Sequence, residues 1–409
     1  MKFNIVKKPK KKDDDEEFLD EEELELEEES DRDEKSSGAG DDAKKKMFKF
    51  MGIIVGITLI LLLLLFIISL FTHKSYSYDQ IEKILVNAAT SYFKDYPASL
   101  PKQDGDIVEI DSSNLVVAGK MKDLSEYTKK GVVCSAKVQV EKAGSDYLYI
   151  PFLNCGDNYS TVLFSQKIKT DNPTVTSGYG LYANGGTYTF RGEGLNNYVQ
   201  LDKSLWRIVK ITGNDEIVLV NNDGISISKV WDDRYNSEAR GNVGLNSFDV
   251  SRMKDYLDKV YKSTDSKNYK TIFSDSDRSK LVSFDLCIGK RRKSNETKDN
   301  SLECSTVARG QKLGLLTMSD YLYASVDPNC KSGATMVCSN YNYLVADYGW
   351  WLITASDKDT STVFYISNSG SVESSSANAL RKVRPVIHLN SKVMYMSGSG
   401  TLKDPYKLK

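Results

Sequence analysis

The sequence predicts an α+β protein in three parts: a single transmembrane helix, a small helix-plus-antiparallel-sheet domain, and a larger, mainly antiparallel α+β domain. Three observations carry this. Phe50 to Thr72 is uncharged and apolar on every side of a helix. Beyond it, helical spacing of apolar residues gives way to runs that alternate on either side of turn residues. Those runs are not interleaved with crossover helices, which argues against a parallel sheet.

The apolar run comes first because it divides the chain. About 20 apolar residues at about 1.5 Å rise each cross a hydrocarbon core. A signal peptide is the competing reading, but its apolar region is shorter and ends at a small-residue cleavage site, whereas here Ile60 to Ile68 runs on into Leu70 and Phe71. Lys44, Lys45, Lys46 and Lys49 abut its start, while only His73 and Lys74 follow its end. The positive-inside rule then places the N-terminus in the cytoplasm and everything after residue 72 outside. The lipid bilayer is thus the expected partner of residues 50–72.

Residues 1–46 open with Lys7, Lys8 and Lys10 to Lys12 and turn abruptly into the acidic DDDEEFLDEEELELEEES. Like charges repel and bury little apolar surface, so this reads as a disordered acidic cytoplasmic tail. Phe18, Leu19, Leu24 and Leu26 within the acid offer a docking motif for a basic cytosolic partner; the alternative is a plain solvated tail. The formal net charge of −1 hides this tail. The exported part is mildly basic but has no concentrated Lys/Arg stripe apart from Lys290 to Lys293, so nucleic acid is not an expected partner.

In residues 73–156, Ile81, Ile84, Leu85, Ala88, Ala89, Tyr92 and Phe93 give Tyr78 to Tyr96 a wide apolar helical face, stopped by Pro97. Asp106 to Ile110 alternates as a strand, and Ser112 to Leu124 reads as a short helix broken at Gly119. Val132 to Val140 and Tyr147 to Leu153 flank KAGSD as a hairpin. Residues 157–177, polar and without clear period, read as a linker.

In residues 178–409, YTFR at Tyr188 to Arg191 is strand-like, and Leu205 to Ile211 with Ile217 to Val220 flank GNDE as a second hairpin. Asp249 is placed to cap a helix through Tyr261, and Thr317 with Asp320 to cap the helix of SDYLYAS. Leu313 to Leu316, Trp351 to Thr354, Thr362 to Ile366 and Val383 to Leu389 read as strands, with NSG at 368–370 as a turn.

All six cysteines, Cys134, Cys155, Cys287, Cys304, Cys330 and Cys338, lie beyond the apolar run. An even count in an exported part predicts disulfides where the compartment is oxidising, and free thiols where it is not. Clustering along the chain favours 134–155, 287–304 and 330–338. With no C-x-x-C and only His73 and His388, zinc lacks ligands, so no metal and no cofactor is expected.

A membrane helix leading to an amphipathic helix and a small sheet resembles type IV pilins and pseudopilins over about 47–155. Pilin precursors carry a glutamate five residues into the mature helix; here Gly52 is followed by Ile53, Ile54, Val55, Gly56 and Ile57. The strings YTFRGEGLNNYV, SLWRIVKI, KLGLLTMSDYLYAS, WWLITAS, VRPVIHLN and SGSGTLKDPYKL together resemble an uncharacterised extracellular domain of Firmicutes and Mollicutes surface proteins. That resemblance implies a C-type-lectin-like core, similar to the formylglycine-generating-enzyme fold, over about 178–409, and it implies no particular activity. Of the lectin calcium motifs only Trp231-Asp232-Asp233 has a counterpart.

No Walker A, H-E-x-x-H or G-x-S-x-G string occurs, and no catalytic residue is assigned. Gly178-x-Gly180-x-x-Ala183 fits a loosened dinucleotide pattern but reads as a loop. His388, alone in this domain, reads as a packed strand histidine rather than a general base. Tyr341, Tyr343, Tyr348, Trp350 and Trp351 cluster with Asn340 and Asn342, a composition suited to stacking on a glycan or gripping a protein. The competing reading is that Trp351 and its alternate neighbours are core. Adjacent tryptophans in a strand point to opposite faces, so at most one of Trp350 and Trp351 is expected on the core side. The candidate ligand-binding residues are therefore Trp231, Asp232, Asp233, Tyr341, Tyr343 and Trp350. The leading expectation is a single-pass cell-surface binding or adhesion protein; a surface enzyme, whether carboxylate-based hydrolase or cysteine-based oxidase, and a pilin-like structural component are the alternatives.

Overall fold

The computed structural model describes residues 40–71, 75–202, 204–262 and 272–409. Residues 1–72 and 73–409 form separate units. The acidic stretch with its Phe18 to Leu26 motif lies outside the described residues, as do His73 and Lys74. In the first unit one helix spans Gly40–Phe71, so helix begins seven positions before the boundary expected at residue 47. Its Met47–Leu64 window is long and apolar enough to cross a bilayer, and none of it is buried.

The second unit is α+β and holds two hydrophobic cores. In the smaller, the helix Tyr78–Asp95 packs Ile81, Leu85, Ala88, Ala89 and Phe93 onto a three-stranded antiparallel sheet. Ser77 opens this helix in a reciprocal cap with Gln80, which satisfies two backbone donors that the helix itself leaves free. The sheet runs Ile107–Asp111, Ser135–Ala143, Asp146–Asn154. Ala143 pairs with Asp146 across Gly144-Ser145, and the left-handed φ of +63° at Gly144 suits a tight hairpin turn. The Cys134–Cys155 disulfide closes the other end of the hairpin.

The larger core draws on two sheets. One is seven-stranded, in the order Leu281–Val282, Val386–Leu389, Ile217–Asn221, Ser204–Ile211, Thr187–Arg191, Gly180–Asn184, with Tyr198–Leu201 also on Ser204–Ile211. The other orders Val372–Ser376, Thr362–Ile366, Trp350–Ala355, Arg381–Val383 and Ile225–Lys229. Pairing is antiparallel apart from Trp350–Ala355 on Arg381–Val383. The expected run Val383 to Leu389 is thus two strands in two sheets, parted at Arg384-Pro385, because proline cannot donate to a continuous ladder.

Several expectations are corrected here. The 157–177 linker contains the helix Phe164–Asp171, and Phe164 and Ile168 are fully buried in the larger core, so this segment is part of the fold. Asp249 sits in a single turn, Phe248–Val250, and does not cap the helix Arg252–Lys262. The Ser251 hydroxyl and the Asp232 carboxylate accept from its first amides instead (Lys254 N 3.1 Å; Arg252 N 3.0 Å). Leu313 to Leu316 is buried but forms a single bridge, Gly314 to Val386, rather than a strand. Gly180–Asn184 is a strand, not a loop; it turns into Thr187–Arg191 and opens no helix, which disposes of the dinucleotide pattern. Thr317 and Asp320 cap Met318–Ala324 as expected.

Candidate functional site

The expected binding residues are not assembled into a site. Trp231 is fully buried, its ring 6.1 Å from Trp351 and 6.2 Å from Phe248. Asp232 is equally buried and is held by Arg234 (2.6 Å) as well as by the Arg252 amide. Trp350 lies beneath the Arg384 guanidinium at 4.8 Å and 6.1 Å from Tyr321. Tyr343 is buried against Arg207. Burial withdraws these four from any ligand, Trp350 within a strand and the other three in connecting segments; of the six, Asp233 and Tyr341 are exposed. Asp233 pairs with Arg252 at 2.6 Å, whereas Tyr341 leans on Tyr179 at 5.8 Å, so the two have separate surroundings.

Trp350 and Trp351 are both at 0 % exposure. They do point to opposite faces, but each face is covered: Tyr321 and Arg384 on one, Trp231 and Tyr365 on the other. His388 is packed, stacked 3.9 Å from Phe284 with Nδ1 3.0 Å from Glu216. The cysteines pair as 134–155, 287–304 and 330–338, with none free. Cys330 and Cys338 are buried in that state and offer no thiolate.

The arrangement that can receive a ligand lies elsewhere. A groove of about 620 Å³ opens at the edge of the seven-stranded sheet, between its strands Gly180–Asn184, Thr187–Arg191 and Ser204–Ile211, the 296–300 loop and the helix Met318–Ala324. Its lining mixes hydroxyls and amides (Thr187, Thr189, Thr297, Asn184) with the Tyr323 ring. Two lysines reach it: Lys210 pairs with Asp320 at 2.9 Å, and Lys298 donates to the Cys330 carbonyl at 2.6 Å. Burial and, after it, the nearby Arg191 guanidinium lower the pKa of Lys298.

Arg191, which does not itself line the groove, holds the lining residue Tyr323. Its guanidinium lies 4.6 Å from both the Tyr182 and the Tyr323 rings and donates to the Tyr323 and Ser325 carbonyls (2.7 and 2.9 Å). Those bonds fix where Tyr323 presents its face. None of this was visible in the one-dimensional pattern, because the lining comes from four separate stretches. The legible signals were the Thr317–Asp320 cap and the strand YTFR. Among the described residues, no group of three His, Cys, Asp or Glu side chains could hold a metal.

Residues 214–391 are similar to a family described as a domain of unknown function (DUF6273). No curated protein and no solved structure matches the chain. The matched segment supplies most of the larger core and the 296–300 and Tyr323 sides of the groove, whereas the strands from Gly180 to Arg191 and the whole of Ser204–Ile211 precede it.

Proposed function

We propose that the chain is a membrane-anchored surface protein whose larger, lectin-like region binds a polyhydroxylated ligand, a glycan, in the groove between Asn184 and Tyr323. The groove itself carries this reading: hydroxyl and amide groups beside one held aromatic face suit a sugar, whose rim hydrogen-bonds and whose apolar face stacks. The helix Gly40–Phe71 serves as the single anchor in the bilayer, N-terminus in the cytoplasm. Three disulfides suit a domain held in an oxidising exterior. The acidic tail remains the side open to a basic cytosolic partner.

The test is a glycan array probed with residues 73–409, which carry both cores. Retention of a defined set of glycans is expected. Failure to retain any, together with turnover of a glycan or peptide substrate, would overturn a binding role in favour of an enzyme.

A further inference from the structure

At the floor of the groove an amine, a carboxamide and a carboxylate converge. Lys210 Nζ and Asn300 Nδ2 both donate to one oxygen, Oδ1 of Asp320, at 2.9 and 3.0 Å. The Thr317 hydroxyl donates to the Asn300 side-chain carbonyl oxygen. The other Asp320 oxygen is engaged in the helix cap, accepting from the Thr317 amide at 3.2 Å, so the carboxylate cannot swing away. Lys210 retains 26 % and Asp320 12 % side-chain exposure, which keeps most bulk water from the network.

Asn300 is also held from its backbone. It adopts a left-handed φ of +65°, a conformation that asparagine tolerates better than most residues. Its carbonyl accepts from the Cys304 amide at 2.8 Å, and Cys304 is disulfide-bonded to Cys287. Nearby, Glu303 forms a fully buried pair with Arg291. The amide is therefore presented to the lysine on a braced loop, the condition under which an intramolecular reaction gains most from proximity.

We propose that Lys210 and Asn300 form an intramolecular isopeptide bond with Asp320 as the proton-transfer group. The Lys210 ammonium gives a proton to Asp320, and the free amine attacks Cγ of Asn300. The Thr317 hydroxyl stabilises the oxyanion that forms on the amide oxygen. The C–N bond to the Asn300 side-chain nitrogen breaks, and that nitrogen takes up the second proton lost by Lys210 and the one held by Asp320. It departs as ammonium, Asp320 returns to its carboxylate, and no oxidant or further reactant is consumed. Before reaction, burial opposes the charge of Asp320, but Lys210 and the hydrogen bonds from Asn300 and Thr317 hold its carboxyl below the usual range. The product staples the strand Ser204–Ile211 to the 296–300 loop, closing the chain between residues 210 and 300. It also fixes the groove floor whatever ligand the groove takes, so it stands apart from the binding proposal.

The test is the intact mass of the full chain, extracted in detergent, followed by proteolysis and tandem mass spectrometry. The expected mass is below that of the disulfide-bonded sequence by one ammonia, with Lys210 and Asn300 recovered in one branched peptide. Lys210→Arg and Asn300→Ala each restore the full mass. A wild-type mass with no ammonia lost, or a loss confined to a linear peptide around Asn300, would overturn the proposal; both are read on wild-type protein, so poor folding of a variant cannot obscure them.

Discussion

The two regions of the 73–409 unit are built on opposite principles. The helix-on-sheet region buries an almost wholly apolar set and, apart from Glu82 at its seam with the larger region, keeps its ion pairs, such as Lys137–Glu109 and Lys120–Asp95, at its surface. The two-sheet region takes charge inside. Arg291 and Glu303 pair at 0 % exposure, and Arg384 is buried with its guanidinium on the Asn221 and Leu344 carbonyls and the Trp350 ring. Arg207 lies between the Tyr198 and Tyr343 rings. Buried charge adds little net stability when fully satisfied but is costly to leave unpaired, so the second region is specified by partners rather than by area.

The sharpest contrast follows from breaking one such pair. Glu303→Ala strands Arg291 and removes the acceptor of the Ser319 amide and hydroxyl (3.1 and 2.9 Å), and should cost about 3–5 kcal/mol in denaturant melts of residues 73–409. A loss below about 1 kcal/mol would show that the interior charges of this region are no more demanding than surface ones. Next comes the staple of the smaller core. Replacing Cys134 and Cys155 together, which opens a 21-residue separation, should cost about 2–4 kcal/mol and be read most strongly in amide exchange of the helix Tyr78–Asp95.

The seam between the regions gives an intermediate effect. Lys409 bridges Asp79 and the buried Glu82 at 2.7 Å each and also donates to Tyr159. Burial opposes its charge, but the hydrogen bonds to Asp79, Glu82 and Tyr159 prevail and raise its pKa. A raised folded pKa means the contribution is fully present below the unfolded lysine value of about 10.4 and is lost as pH rises through the folded one. Lys409→Met should cost about 1–3 kcal/mol at neutral pH and flatten the alkaline limb of the stability profile; an unchanged alkaline limb would show that the seam does not depend on this cation. The smallest effect belongs to the exposed pair. Glu109→Ala should change stability by only about 0.2–1 kcal/mol, and a larger loss would erase the distinction between the regions.

The same contrast explains what was legible in the sequence. Tyr78–Asp95, the Ser135–Asn154 hairpin and its disulfide follow from periodicity, turn residues and local cysteine spacing, all within about eighty residues of chain. Trp350 was misread because alternation reports which face a side chain takes, not whether that face is covered. The helix Phe164–Asp171 escaped because two buried apolar residues in one short amphipathic turn pair give little signal against a polar background. The groove was invisible for a different reason. Arg191 meets Tyr323, and Lys210 meets Asp320, across chain separations of 132 and 110 residues, and pairing at that range leaves no local trace.

The central claim, that the groove is where a ligand binds, is tested most directly by comparing residues 73–409 with the Tyr323→Ala variant on one immobilised glycan panel. Loss of a stacking face should weaken retention about tenfold or more while the thermal midpoint stays within a few degrees. Equal retention by the two proteins would place binding, if there is any, outside the groove.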